Sequence, residues 1–200
     1  MTEQSGPVAR RLGLTRSTGV AYYERGLKAY EAGDLENAIL DLSEAIYYDD
    51  RYAEYYSTRG LFHLENGEND AAKEDLDYAL VLNKRQWLAH YGLAMLAFGK
   101  QEYTDAEKRF GDALAIRSDR AEIWYYRAVT RHNLGDDVQA MSDMERAEQL
   151  FPPNDKRRKD AVAWIKEFKK AAPPALPQAA GAPPLNPPPS RPQLPDGEKK

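Results

Sequence analysis

Three histidines and a dense population of carboxylates are the residues in this chain that could do chemistry. An imidazole beside a carboxylate can move protons, and a cluster of such groups at ligand spacing can hold a metal. His63, His90 and His132 lie far apart in the sequence, and none sits in an HExxH or comparable spacing. There is no cysteine, which removes disulfides, thiolate zinc sites and cysteine nucleophiles together. No nucleophile-elbow, P-loop or dinucleotide-binding glycine motif is present. Acidic runs such as EDLD at 74–77 and the pair Asp136–Asp137 read as solvated helix faces and helix starts. The expectation is a non-enzymatic protein with no catalytic residue, metal or cofactor.

The elements that carry these residues are legible in the charge and proline distribution. The 200 residues hold 28 Lys+Arg and 32 Asp+Glu, a net charge of −4. Residues 19–154 hold 26 acids against 15 bases, a net of −11, while 155–170 carry +4. An acidic body argues against nucleic acid as a partner, because phosphates need Lys and Arg. Ten of the 13 prolines lie in residues 171–200, and none lies between Val8 and Phe151. A long proline-free stretch with apolar residues at helical spacing reads as helix after helix. No stretch is long and apolar enough for a membrane span, and residues 1–20 have no apolar signal region. A cytoplasmic location is therefore expected.

The chain repeats itself every 34 residues. Gly33, Gly67 and Gly135 fall on one grid, with Gln101 in the remaining slot. Ala38, Ala72, Ala106 and Ala140 share a second slot, and Ala45, Ala79, Ala113 and Ala147 a third. A small residue recurs at Gly26, Gly60, Ala94 and Ala128. The spacing predicts four units, 19–52, 53–86, 87–120 and 121–154, each made of two antiparallel helices, A and B. Small residues at fixed slots let two helix backbones approach closely. The residue after the glycine slot is always acidic (Asp34, Glu68, Glu102, Asp136), which suits the start of helix B. Asp50, Asn83 and Ser118 are the expected caps of the following A helices. Arg25, Arg59 and Arg127 each stand 16 residues before Asp41, Asp75 and Asp143, and where Arg becomes Leu93 the Asp becomes Arg109. An A-to-B ion pair in units 1, 2 and 4 is expected, solvated and contributing about 0–1 kcal/mol.

On these residues the units resemble tetratricopeptide repeats. Unit 4 matches through Trp124, Ala128, Gly135, Ala140, Ala147 and Pro152, and unit 3 through Ala94, Tyr103, Ala106, Phe110 and Ala113. Units 1 and 2 match through Tyr22, Gly26, Gly33, Ala38 and Ala45, and through Tyr56, Gly60, Gly67, Ala72 and Ala79. Gln101, and the terminal proline confined to unit 4, depart from the pattern. The resemblance implies an all-α fold: a right-handed superhelical solenoid of four hairpins, with the A helices lining a concave groove. Residues 155–170 supply a C-terminal capping helix, with Ala161, Trp164, Ile165 and Phe168 on one apolar stripe and Asn154 or Asp155 as N-cap. Residues 1–18 form an N-terminal extension. The Pro-rich tail, 171–200, is expected to be disordered, as a linker or as a ligand for a proline-binding module.

The resemblance also implies which residues line the groove. They are Tyr23, Leu27 and Tyr30 of unit 1, Leu61 and Leu64 of unit 2, Tyr91, Met95 and Phe98 of unit 3, and Tyr125, Val129 and His132 of unit 4. The same positions include the acids Glu31, Glu54, Glu65 and Glu122. The Lys/Asn/Asn/Lys/Arg clamp with which chaperone-binding members hold an acidic C-terminus is missing. Its slots hold Tyr23, Leu27, Thr58, Leu88 and Gly92, or in the next frame Ser57, Leu61, Gly92, Glu122 and Tyr126. The function this implies is an adaptor or scaffold that binds a protein or peptide segment in an apolar groove. The alternatives are a structural or self-associating subunit, hence a homo-oligomer, and a membrane-surface tether through the basic capping helix. The chain's own N-terminal segment or tail could also fill the groove.

Overall fold

The computed structural model describes residues 14–170, and the expectations for the tail and for the first 13 residues lie outside that range. The described residues are helices and short turns. α1 (Leu14–Glu31) and α2 (Leu35–Tyr48) form the first hairpin, and α3 (Ala53–Glu65) and α4 (Asn69–Leu82) the second. α5 (Trp87–Gly99) and α6 (Tyr103–Ile116) form the third, α7 (Ala121–Asn133) and α8 (Asp137–Leu150) the fourth, and α9 (Lys156–Phe168) follows. α1 begins inside the expected N-terminal extension. Each A helix packs on its own B helix, each B helix on the next A helix, and α9 on α8. α3 also touches α5 directly, so the A helices form the inner layer of the superhelix.

The repeated small residues do what their spacing implies. All eight alanines of the two B-helix slots have no exposed surface, and Ala94 and Ala128 have none either. At Gly26 and Gly60 a side chain would meet the B helix of the same hairpin: Cβ at Gly26 would lie 3.1 Å from the Ala38 carbonyl oxygen, and at Gly60 2.8 Å from Leu76 Cγ. The hairpin turns need a left-handed residue, φ near +80°, at Gly33, Gly67 and Gly135. Gln101 takes the same conformation, φ +62°, without glycine's freedom.

Capping separates the two helix types. Asp34 and Asp136 accept a hydrogen bond from the backbone N–H three residues on, at 3.2 and 3.1 Å. Glu68 and Glu102 hold the same place without that bond, because the longer side chain does not fold back onto the first turn. The expected A-helix caps are corrected: α3, α5 and α7 start after Tyr52, Gln86 and Arg120, none with a side-chain cap. Asn83 instead closes the turn leaving α4, accepting from the Arg85 N–H at 2.9 Å. Asp155 caps α9 through the Arg157 N–H at 2.9 Å.

The three expected ion pairs form. Arg59 Nε and Nη2 each donate to Asp75 at 2.7 Å, and Arg127 donates to Asp143 at 2.7 and 2.8 Å. Arg25 pairs with Asp41 in the same way. These are not the solvated pairs expected: Asp41, Asp75 and Asp143 are buried at 7, 6 and 3% exposure, because hairpin packing closes over the carboxylate. Only Arg25 leaves its guanidinium largely in solvent. Arg59 also donates to Ser43 in the preceding hairpin, and Arg131 ties Glu107 of α6 to Asp143 of α8.

Candidate functional site

The inner layer is built from the faces of α1, α3, α5 and α7 that are not used against B helices. Its depth varies along the row. Leu27, Tyr30, Leu64, Tyr125 and His132 are half-buried. Tyr23, Leu61, Tyr91, Met95, Phe98 and Val129 are buried, at 3 to 8% exposure. The row is thus a floor with a few accessible side chains. The reason is the A-to-A contact itself: Met95, Phe98, Tyr126 and Val129 share one core with Leu61, Phe110 and Met144. Within α5 every residue from Leu88 to Phe98 except His90 is buried. His132 faces the capping helix, with its ring 5.3 Å from Trp164 and 5.6 Å from Phe168, and it bonds Asp137.

Polar groups punctuate the floor. The Tyr23 hydroxyl meets Thr58 Oγ1 at 3.3 Å, and Tyr23 stacks on Tyr55 with centroids 5.0 Å apart. Gln86 Nε2 donates to Ser57 Oγ at 2.8 Å. Tyr30 stacks on Phe62 at 4.4 Å and donates its hydroxyl to Glu65. The Tyr91 hydroxyl is buried with no hydrogen-bond partner among the described residues. Burial, and then the nearby Glu54 charge, push the Tyr23 phenol well above its ordinary value. Burial, Tyr126 and the Glu122 charge do the same to Tyr91.

Glu54 and Glu122 stand at the same place in their units, one beside Tyr23 and the other beside Tyr91. Glu122 accepts from Arg120 Nε at 2.8 Å and Nη2 at 2.6 Å. Glu54 is half-buried, and its carboxylate has no hydrogen bond or ion pair among the described residues. Burial alone lifts its pKa to about 7.

The histidines do not converge. His63 pairs with Glu68 and lies 3.8 Å from Asp75, while His90 bonds the Lys84 carbonyl oxygen at 3.0 Å. No cluster of three metal-donor side chains occurs among the described residues. A cavity of about 350 Å³ that the sequence did not announce lies on the second hairpin, between Tyr56, Arg59, His63, Glu74, Asp75 and Tyr78. Its charged groups already answer one another through the Arg59–Asp75 and His63–Asp75 contacts.

A profile of the tetratricopeptide repeat matches residues 58–119 and 94–155, together about half of the chain. The chain is 25% identical over 111 residues to human tetratricopeptide repeat protein 6, covering 56% of this chain and 21% of that protein. It thus spans about a fifth of that relative's length. The Pseudomonas aeruginosa pilF structure superposes with a TM-score of 0.67 at 17% identity, over 77% of this chain and 68% of that one. The first TPR of Spaghetti (RPAP3), solved bound to the HSP90 peptide SRMEEVD, superposes with a TM-score of 0.57 at 18% identity, over 60% and 98%. Repeat register, fold and matches agree, and the chain belongs to the tetratricopeptide repeat family. Proteins of this family are protein-interaction modules, and the fold supports an interaction scaffold. No helix among the described residues is long and apolar enough to cross a membrane.

Proposed function

We propose that the chain is a non-enzymatic adaptor that binds a protein or peptide segment along the A-helix face. The observation that carries this is the half-buried row Leu27, Tyr30, Leu64, Tyr125 and His132, which offers aromatic and aliphatic edges on a rigid floor. The empty clamp slots, with Tyr23, Leu27, Leu88 and Gly92 in place of Lys, Asn and Arg, direct it away from acidic C-termini such as SRMEEVD. The test is affinity capture from native lysate, comparing wild type with a Leu27→Asp, Leu64→Asp variant whose helicity matches wild type by circular dichroism. Loss of the captured partners supports the groove, and their retention by the folded variant overturns it. Half-buried positions are needed, because acids at Tyr91 or Met95 would enter the core.

A structural or self-associating role is favoured by a separate observation. Leu40, Tyr47 and Val81 stand 61, 69 and 75% exposed on the B helices α2 and α4. Light scattering over a concentration series distinguishes it: a rising mass supports self-association, and a constant monomer mass excludes it. The basic capping helix is a weaker tether, since Arg158 and Lys169 already pair with Glu148 and Glu145 of α8.

A further inference from the structure

We propose that the groove selects a partner segment bearing a basic side chain, an arginine above all, and that Glu54 is the residue that holds it. The proposal rests on the groove reading above and names the chemistry of what enters it. The chain contains its own template for this contact. Tyr23 and Glu54 are 31 residues apart, as are Tyr91 and Glu122, and each tyrosine senses the charge of its glutamate. At the second pair the chain supplies the counter-charge from Arg120, which ends unit 3 and reaches Glu122 through Nε and Nη2. The equivalent residue ending unit 1 is Tyr52, which carries no positive charge. A carboxylate in the same setting is therefore answered by a guanidinium in one half of the solenoid and, among the described residues, left without one in the other.

Physical chemistry favours filling that gap from outside. A half-buried carboxylate without a counter-ion is costly, and a partner's cation would recover that cost on binding. A planar guanidinium can donate to both carboxylate oxygens and still lie against an aromatic surface. The half-buried ring of Tyr52 supplies such a surface, its centroid 5.1 Å from that of the buried Tyr55. Charge complementarity points the same way, since residues 19–154 carry a net −11 that would steer a basic segment inward. Among the described residues burial is what acts on Glu54, and it favours the uncharged form until a cation arrives.

The test is selection of a phage-displayed random dodecapeptide library on the full 200-residue chain, followed by binding measurements on an enriched peptide. Enriched peptides are expected to hold Arg or Lys at one fixed position among apolar residues. Replacing that Arg by citrulline should weaken Kd about tenfold to a hundredfold. Glu54→Gln should cause the same loss, after which citrulline costs nothing more. Peptides that lack a fixed basic residue, bind Glu54→Gln normally and are lost with Leu27→Asp, Leu64→Asp would overturn the role of Glu54 and leave the groove standing. No enrichment on the folded chain would overturn both. Enrichment only after removal of residues 1–13 would hand the site to the chain's own Arg10–Arg11 segment and overturn the external partner.

Discussion

Arg127 and Asp143 clasp each other across the fourth hairpin through two hydrogen bonds of 2.7 and 2.8 Å, and Arg131 donates to the same carboxylate at 2.8 Å. Asp143 is 3% exposed, so its partners stand in for water. Asp143→Ala would leave the half-buried Arg127 guanidinium without its acceptor and Arg131 with Glu107 alone. A loss of about 3–5 kcal/mol in urea unfolding is expected. Arg25→Ala, at a pair whose cation stands in solvent, should cost less, about 1–3 kcal/mol, because it still leaves the buried Asp41 carboxylate without its counter-ion.

Gln101 supplies a second prediction. It adopts φ +62° where the other three hairpins use glycine. Gln101→Gly removes the left-handed strain of about 1–2 kcal/mol and adds about 0.5–1 kcal/mol of unfolded-state entropy. A net gain of roughly 0.5–1 kcal/mol should appear as a higher denaturation midpoint. Gly67→Ala should move the midpoint the other way.

Close packing at α5 gives a third. A Cβ on Gly92 would fall 2.7 and 2.8 Å from the two methyls of Leu76 and 3.0 Å from a Leu61 methyl. Leu76 cannot step aside, being fully buried against Gly60 as well. Gly92→Ala should destabilise by about 1–3 kcal/mol in chemical denaturation. Adding Leu76→Val should recover part of that loss, whereas Leu76→Val alone should be destabilising.

Glu54 makes stability depend on pH with a definite sign. Its pKa rises in the folded chain from an ordinary value near 4.5 to about 7. Between those values the folded chain keeps a proton that the unfolded chain has released, so rising pH favours unfolding. This contribution to stability should decline from about pH 4.5 to 7 and then level off. Comparing thermal midpoints of wild type and Glu54→Gln across that range isolates it: the difference between them should grow with pH, and a constant difference would refute the assignment.

Much of this architecture was legible because it depends on spacing. The alanine slots, the glycine slot and the Arg–Asp pairs each recur at one interval, and interval survives in a linear string. Depth does not. The resemblance located Tyr91, Met95 and Phe98 on the inner face but could not show that α3, α7 and the capping helix leave them so little surface. His132 was legible as a groove position, while its contact with Trp164 and Phe168 depends on where α9 docks. The A-helix caps were misread because Asn83 looks like an N-cap in sequence yet works one turn earlier, ending α4. The difference between Glu54 and Glu122 was hidden in a single substitution at a linker position, Tyr52 against Arg120, outside the helices that define the repeat.

The burial of α5 bears on how the molecule comes into being. A ribosome delivers the first two hairpins before the third, and until α5 arrives the faces of Leu61 and Leu76 that receive it are open to solvent. The half-made chain is therefore stickier than the finished one, and synthesis pausing near residue 86 would prolong that interval. Its vulnerability to misassembly is written into the order in which its parts emerge.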